Sequence, residues 1–329
     1  MTISRAALAV PNRHTACFRP RTGRSAALQN SPDSERSGAL AKRRLFDFGL
    51  LPIQRFRECG LNTRMPENLC MPHAVSHLRS ARLARSAKPF LARGGFKRER
   101  CMDCRLVPSH CMCTLRPSLN TRAGMCLLMA DIEPLKPTNT GWLVADVVAD
   151  TFAFGWTRTQ ADPDLLALLR DPQWQPYVVF PGQYAAPERV VRTVQPPERL
   201  PTAAEQKRPL FILLDGTWSE ARKMFRRSPY LDRLPVLSLE PDRTSQYKLR
   251  SSGRTDHFCT SEVAALCMNL AGESVADQVL EAYLAVFTHH YLHAKSQQPV
   301  VWDGAAHQRL HALSLLPIPR HSAMLRRVA

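Results

Sequence analysis

The stretch "LFILLDGTWSEARKMF", residues 210–225, decides the fold of this chain. Five consecutive apolar residues run up to Asp215, which is the pattern of a strand buried on both faces. Gly216 permits a turn, and Thr217 with Glu220 three residues later forms the capping-box pattern that begins a helix. Such strand–helix units build α/β proteins, whose ligands bind beyond the carboxyl ends of the strands. Asp215 is therefore predicted to lie at a ligand-binding edge, beside a helix start that favours an anionic group.

The segments on either side of this unit repeat the alternation of strand and helix. Apolar runs predict strands over 126–129, 175–182, 208–216 and 234–240. Amphipathic patterns predict helices over 162–172, 217–228, 259–272 and 276–295, the first with Asp162 as its N-cap. The segment that starts at Gly141 fits either a helix or a strand. The sequence thus predicts an α/β fold with a mostly parallel sheet and flanking helices.

The helix after Asp215 has two predicted faces. One carries apolar residues at helical spacing and is expected to face the core: Trp218, Ala221, Met224 and Phe225. Trp218 has a second possible role, as a stacking platform for a ligand. The outer side carries four cations with no acid between them: Arg222, Lys223, Arg226 and Arg227. These cations form either an ordinary solvated face or a contact surface for phosphate.

Four cysteines fall within "CMDCRLVPSHCMC", residues 101–113: Cys101, Cys104, Cys111 and Cys113. The spacing C-x2-C-x6-C-x-C supplies four thiolates, the ligand set of a closed tetrahedral zinc site. A closed site keeps no position for water, so its zinc would be structural rather than catalytic. A redox dithiol and a chance cluster are the alternatives, and two pairs this close favour zinc.

The net charge of +17 is concentrated in the first hundred residues, which hold 20 Lys and Arg against 6 Asp and Glu. The remaining chain is close to neutral, so the high net charge does not by itself make it a nucleic-acid-binding body. Residues 1–97 are Arg- and Ser-rich with weak apolar periodicity, which predicts a disordered basic extension. There are three alternatives for this segment: a translation start upstream of the true one, an organellar transit segment, and a nucleic-acid-binding arm. A short basic helix could form within 73–92.

The cysteines and the apolar runs also bear on location. The six cysteines outside the cluster are scattered, and the chain begins without the pattern of a secretory signal, so a reducing, cytoplasmic setting is expected. No run of about eighteen apolar residues occurs, so no membrane span is expected.

Five short blocks resemble, in order, the motifs of the DTW-domain family, the tRNA-uridine aminocarboxypropyltransferases. "DGTW" at 215–218 matches the signature D-x-T-W, and the cysteine cluster is similar to the family's CxxC…CxC. The other blocks are "PLKPTNTGWL" (134–143), similar to P-T-N-T-G, "FPG" (180–182), similar to a strand-ending Pro-Gly, and "YKLRSS…HFCTSEVAA" (247–265), similar to Y-x-x-R…T-x-E-A. Ser261 and Val263 are small departures in the last block. The resemblance covers residues 98–295, and the first hundred residues have no counterpart.

The resemblance implies a SPOUT-like core with a trefoil knot. The expected divisions are the extension 1–97, a zinc knuckle 98–116, a catalytic domain 117–296 and a loose tail 297–329. The implied reaction moves the 3-amino-3-carboxypropyl group of S-adenosylmethionine (SAM) to N3 of a uridine in tRNA and leaves methylthioadenosine. SAM as co-substrate, structural Zn²⁺ and tRNA are therefore expected, and neither a membrane nor an obligate protein partner is.

The resemblance also assigns the site. The catalytic residues would be Asp215, Thr217 and Trp218. Asp215 would be the base that takes the uridine N3 proton, a carboxylate that orients a ligand, or a second helix cap. SAM would be bound by Thr138, Asn139, Thr140, Gly141, Pro181, Gly182, Thr260 and Glu262. The alternatives are a plain loop at 138–141 and a mere helix cap at Thr260 and Glu262. RNA would be bound by Arg222, Lys223, Arg226, Arg227, Lys248 and Arg250. For Lys248 and Arg250 the alternatives are contact with the SAM carboxylate and an ordinary surface position. The metal ligands would be the four clustered cysteines.

Two other functions fit the same motifs. A SPOUT-like RNA methyltransferase would release S-adenosylhomocysteine instead of methylthioadenosine. A zinc-dependent RNA-binding module without catalysis would bind no SAM, and the strand-turn-helix at Asp215 weighs against it. The pair His289 and His293, four residues apart on a predicted helix, is expected to lie on a solvated face rather than to bind a metal.

Overall fold

The computed structural model of the chain describes residues 72–87, 99–194, 207–240, 245–247, 249 and 258–316. All of them belong to one compact unit, Met65–Ala329. The strands are β1 Gly124–Met129, β2 Thr151–Gly155, β3 Trp174–Val179, β4 Val190–Val191, β5 Arg208–Asp215 and β6 Val236–Leu237. The helices are α1 Ala74–Ala84, α2 Gly141–Val147, α3 Pro163–Arg170, α4 Trp218–Arg226, α5 Thr260–Leu270, α6 Ser274–Ser296 and α7 Ala305–Ser314. Within these described ranges, no helix is long and apolar enough to cross a membrane.

The six strands form one parallel sheet in the order β2-β1-β5-β3-β6-β4. Strand β5 lies between β1 and β3, with Asp215 opposite Met129 and Leu213 opposite Val179. Because all strands run the same way, β1, β3 and β5 end together at one side of the sheet, which we call the carboxyl edge. The predicted α/β fold with a mostly parallel sheet and flanking helices is confirmed.

Both faces of β5 are covered, as its apolar run predicts. Phe211 and Leu213 belong to a core shared with α2, α5 and α6. Leu210 and Ile212 belong to a second core on the other face, shared with α3 and α4. All four side chains are at most 2% exposed. Alternate residues of one strand thus serve two cores, which explains why the sequence shows a continuous apolar run instead of an apolar–polar alternation.

Most predicted elements occur within a few residues of their expected bounds. Asp162 caps α3 by accepting from the main-chain N–H of Asp164, and the segment from Gly141 is a helix. Strands β2 and β4 were not predicted, because β2 is only half-buried and β4 has two residues. Short strands with exposed side chains lack the apolar run by which a buried strand is recognised.

Helix α1 lies inside the segment 1–97, for which the sequence predicts disorder. Residues 72–87 are instead ordered against the domain: Val75 is fully buried, and the His73 ring packs edge-on against Trp142 at 4.6 Å. Arg82 donates two hydrogen bonds to the carboxylate of Asp131, at 2.7 and 2.8 Å. The predicted disorder is therefore wrong for these residues, whereas the short helix that the sequence allowed within 73–92 is confirmed as α1. Tertiary contacts stabilise this helix.

Helix α7 corrects a second expectation, since the segment from 297 was predicted to be a loose tail. It packs on α6 through a pair of histidines, His290 and His307, whose Nε2 atoms lie 2.9 Å apart. His290 Nδ1 lies 2.9 Å from the carbonyl oxygen of His110. A carbonyl only accepts, so His290 donates from Nδ1. Burial lowers the pKa of His290 to about 4, so at neutral pH the ring is uncharged and its Nε2 accepts from His307. The pair thus joins α6, α7 and the cysteine segment.

His289 and His293 also differ from the solvated face that was expected for them. The main-chain N–H of Val301 donates to His289 Nε2 at 3.2 Å, and His293 Nδ1 donates to the carbonyl of Pro299 at 2.7 Å. Both rings therefore hold the segment that follows α6. Over the described part of the chain, neither belongs to a group of side chains arranged to hold a metal ion.

The histidine pair predicts a loss of stability in acid. Burial lowers the pKa of His290 from 6.5 to about 4 and lowers the pKa of His307 below its ordinary value. Between pH 6.5 and about pH 4, His290 of the unfolded chain binds a proton that His290 of the folded chain does not. The contribution to the free energy of unfolding is therefore complete above pH 6.5 and declines as the pH falls towards 4.

Urea unfolding across this pH window measures the effect. The variant His290→Asn, although less stable at neutral pH, should show a shallower decline than the parent protein, and the difference between the two isolates the histidine from the carboxylates that both share. Parallel declines would contradict the assignment.

Candidate active site

The carboxylate of Asp215 lies at the end of β5, where it bonds to the loop after β1 and to the start of α5. We call this meeting point at the carboxyl edge the junction. Asp215 is 4% exposed. Its Oδ2 accepts from the Asn139 amide at 2.7 Å, and its Oδ1 accepts from the Thr260 hydroxyl at 2.7 Å. Its main-chain carbonyl accepts from the N–H of Ala130 at 2.8 Å. One residue thereby ties the loop after β1 and the start of α5 to the central strand.

Asn139 is fully buried and uses both ends of its amide. Its Oδ1 accepts from the main-chain N–H of Trp142 at 2.9 Å, which stabilises the start of α2. Its Nδ2 also lies 3.5 Å from Oε2 of Glu133, a carboxylate with no exposed surface that pairs with Lys136. The amide is therefore held between two buried carboxylates, which fixes its orientation.

Gly141 provides the space that Asp215 needs. A Cβ at this position would lie 2.5 Å from Asp215 Oδ2, closer than atoms can approach without a shift. The beginnings of α2, at Gly141, and of α5, at Thr260, therefore both lie against this carboxylate. Helix beginnings carry partial positive charge, which is complementary to a carboxylate at this position.

Glu262 anchors the other side of the site. Its carboxylate accepts from the Ser245 hydroxyl at 2.8 Å and from the main-chain N–H groups of Gln246 at 2.6 Å and Cys259 at 2.8 Å. The next residue of that segment, Tyr247, donates from its hydroxyl to the carbonyl of Thr138 at 2.7 Å. The predicted Thr-Asn-Thr-Gly loop and the predicted Thr-Ser-Glu helix start are thus brought together, and Thr140 Oγ1 accepts from the N–H of Ser261 at 3.4 Å. Lys248 and Arg250 lie outside the described residues.

Pro181 and Gly182 follow β3 at the same edge. The N–H of Gly182 donates to the Ser238 hydroxyl at 3.0 Å, and a Cβ on Gly182 would lie 2.9 Å from Val190. This glycine therefore permits the close approach of the chain after β3 to the neighbouring strands β4 and β6. Its visible role is structural.

Trp218 departs from its expected place in the core. As the first residue of α4 it projects past the sheet edge and is 40% exposed, with its ring stacked on Phe180 at 5.4 Å. The remainder of the predicted face is buried, namely Ala221, Met224 and Phe225. Thr217 and Glu220 form the predicted capping box. The predicted outer cations are exposed: Arg222, Lys223, Arg226 and Arg227.

The sulfur atoms of the four clustered cysteines are spaced as the ligands of a tetrahedral zinc ion would be. Their Sγ atoms all lie within 4.8 Å of one another, with Cys101–Cys113 at 3.5 Å, Cys104–Cys111 at 3.7 Å and Cys101–Cys111 at 3.8 Å. Tetrahedral zinc with Zn–S bonds of about 2.3 Å requires S–S separations of about 3.8 Å. The residues therefore fit a closed zinc site. The hydrogen bond between Cys104 and Cys113 lowers the pKa of Cys104 to about 5 and raises that of Cys113, so one thiolate is already favoured.

The family model described as the DTW domain matches residues 98–292, more than half of the chain. The chain belongs to the DTW-domain family. Membership is consistent with a tRNA-modifying enzyme. No solved structure matches the chain. The matched segment begins at the cysteine cluster and ends within α6, so α1 and α7 lie outside the DTW domain.

Arg105 connects the cysteine cluster of the DTW domain to the site. It has a left-handed backbone, with φ of 63°, and its side chain is 1% exposed. Its guanidinium donates to the carbonyls of Lys136 at 2.9 Å and Asn139 at 3.0 Å and lies 4.3 Å from the ring of Trp142. Burial lowers its pKa to about 10, so it keeps its charge at neutral pH. A zinc ion that orders the knuckle would therefore also order the loop that carries Asn139.

Sequence reasoning missed several residues that shape the site. Arg105 and Glu133 resemble surface charges in the sequence, and only the fold shows that both are buried. Phe180 and Tyr184 flank the Pro-Gly motif and pack against Trp218, and Tyr247 anchors the Thr-Asn-Thr-Gly loop. A signal was present for Phe180, an aromatic residue directly before a motif, but none distinguished Glu133 from other acids.

Replacing Gly141 with alanine should loosen the junction. The added Cβ must displace the buried Asp215 carboxylate, and overpacking of this kind typically costs about 1–3 kcal/mol. Thermal unfolding measures the loss. The matched control is Gly155→Ala, whose Cβ would meet nothing closer than 3.7 Å and should leave the melting temperature nearly unchanged. Equal effects of both substitutions would contradict the role given to Gly141.

Removing the metal should unfold the knuckle and lower stability. The purified protein should carry one zinc ion per chain, and a chelator should lower the melting temperature by several degrees, because metal binding contributes directly to folding in such sites. Cys104→Ser should lose zinc, whereas Cys126→Ala, a change at a buried cysteine of the core, should retain it. A metal-free protein of unchanged stability would contradict the assignment.

Proposed function

We propose that this DTW-domain protein transfers the 3-amino-3-carboxypropyl group of SAM to N3 of a uridine in tRNA, forming acp³U. The observation that supports it most is the junction at Asp215, which gathers the D-x-T-W turn, the Thr-Asn-Thr-Gly loop and the Thr-Ser-Glu helix start at one edge of the sheet. Ligands of open α/β sheets bind at this edge. The SPOUT-like trefoil knot implied by the resemblance stays a prediction.

The carboxyl edge suits SAM in its charges. The beginnings of α4 and α5 present main-chain N–H groups and partial positive charge, which favour the carboxylate of the amino-acid portion. The buried carboxylate of Asp215 supplies the opposite charge, which favours a sulfonium, whereas the charge of Glu133 is already compensated by Lys136. When bound, SAM supplies an electrophilic carbon activated by that sulfonium. The polar side chains at the edge largely satisfy one another, so in this proposal they set the shape of the binding site.

In this proposal Asp215 acts chiefly by orienting Asn139 and Thr260. Both of its oxygens already accept hydrogen bonds, and little of its surface is exposed. A carboxylate in that position is better suited to hold Asn139 and Thr260 than to reach a uridine proton. By holding the Asn139 loop and the start of α5 in fixed positions, Asp215 would place SAM and the uridine for attack. Such positioning is a large part of the rate advantage in group transfer.

The variant Asp215→Asn separates orientation from proton abstraction. An asparagine at 215 offers one oxygen: with that oxygen towards the Asn139 amide, its own amide N–H faces the Thr260 hydroxyl, which must then accept. The Thr260 hydroxyl hydrogen thereby loses its charged acceptor, at a cost of about 1–3 kcal/mol. We expect turnover to be lost and the affinity for SAM to fall by about tenfold. Calorimetric titration with SAM measures the second effect. The exposed residue Asp164, changed to asparagine, is the control and should behave like the parent protein.

A variant that binds SAM as tightly as the parent but does not turn over would instead assign the proton to Asp215. The reaction itself is tested by incubating zinc-loaded protein with SAM and unmodified tRNA. Mass spectrometry of nucleosides should find acp³U, and the by-product should be methylthioadenosine. S-adenosylhomocysteine would show methyl transfer, and neither by-product from folded protein would overturn the proposal.

A further inference from the structure

Next to Asp215, a row of aromatic rings borders the carboxyl edge. We call Phe180, Tyr184, Trp218 and Arg222 the aromatic shelf. Phe180 directly follows β3 and Trp218 begins α4, three residues after Asp215. Because Val179 lies opposite Leu213, the chain leaves β3 and β5 at nearly the same level of the sheet. Three residues separate the Cα atoms of Asp215 and Trp218 by at most about 11 Å.

The shelf is a continuous stack. The ring of Phe180 lies between Trp218, at 5.4 Å with planes 9° apart, and Phe225, at 4.5 Å with planes 13° apart. Tyr184 meets Trp218 edge-on at 5.8 Å. Phe225, at one end of the stack, is buried in the core, while Trp218 at the other end is 40% exposed. The stack therefore presents a rigid, pre-oriented indole at the surface.

Cations border the same surface. The guanidinium of Arg222 lies 5.1 Å from the ring centre of Tyr184, which holds it beside the stack. Arg222 and Arg226 line a hollow of about 310 Å³ together with Phe180, Tyr184 and Phe225. Lys223 is exposed on α4, and Arg227 is exposed directly after that helix. An exposed aromatic ring combined with adjacent cations is the arrangement by which proteins bind single-stranded nucleic acids.

We propose that the aromatic shelf binds an unpaired nucleotide of the RNA substrate, with its base stacked on Trp218 and its phosphate paired with Arg222 and Arg226. The proposal rests on the proposed function and specifies where the RNA lies relative to Asp215. The adenine of SAM shares the stacking chemistry. SAM carries no phosphate, however, and four exposed cations on and directly after α4 are complementary to a polyanion.

Binding measurements without turnover test the shelf. The probes are unmodified tRNA and a short single-stranded oligouridylate, titrated by fluorescence anisotropy against the full, zinc-loaded chain. Trp218→Leu should weaken binding of both RNAs by about tenfold or more, because the stacking contribution is lost. Trp218→Phe keeps a ring and should retain most of the affinity. The control is Trp302→Leu, an exposed tryptophan outside the shelf, which should leave RNA affinity unchanged.

The phosphate contacts have a separate signature. Arg222→Gln and Arg226→Gln should each lower the slope of log affinity against log salt by about one, since each removes one neutralised phosphate. Arg170→Gln, an exposed cation on α3, should not change that slope. SAM affinity, measured by calorimetry, should be unchanged in all of these variants.

Three results would overturn the proposal. The first is Trp218→Leu with RNA affinity equal to that of Trp302→Leu, at unchanged zinc content and melting temperature. The second is a loss of SAM affinity with RNA affinity intact, which would assign the shelf to adenine. The third is a parent protein that binds neither RNA. Because no arm depends on turnover, the absence of acp³U formation would refute the proposed reaction and leave the shelf to be judged by these measurements.

Discussion

A buried carboxylate must be surrounded by donors, and this requirement at Asp215 organises the carboxyl edge of the sheet. An isolated carboxylate removed from water costs several kcal/mol or more unless it is paired and hydrogen-bonded. Asn139 and Thr260 supply the donors, and the beginnings of α2 and α5 supply positive potential. The close approach of Gly141 follows from the same requirement, since any side chain there would occupy the carboxylate's position.

The cysteine knuckle takes part in this organisation through Arg105. A segment with four cysteines and few core residues cannot order itself, yet it presents a buried guanidinium to two carbonyls of the Asn139 loop. The left-handed backbone at Arg105 and its ring contact with Trp142 show that the side chain is held in a defined place. A structural metal in this protein would therefore act on the site from a distance, by stabilising the residue that supports Asn139.

The end of strand β5 separates two chemical environments. The side chain of Asp215 points to the polar junction with α2 and α5, while the chain continues into α4 on the other face, where Phe180, Trp218 and Arg222 meet. This separation follows from the two-residue period of a strand, whose successive side chains point to opposite faces. A group that needs polar contacts and one that needs stacking would each find its surface within a few residues of the same strand end.

The sequence by itself determined the local elements: the buried strand at 210–214, the capping box at Thr217 and Glu220, most helices, and a cysteine spacing suited to zinc. These depend on periodicity and on contacts between residues a few positions apart. Only the tertiary structure decided that Asn139 meets Asp215, that Arg105 is buried, that Trp218 is exposed, and that α1 and α7 pack on the domain. Those features depend on which loops the strand order brings to one edge. A buried polar group is defined by a partner far along the chain, and no local pattern specifies that partner.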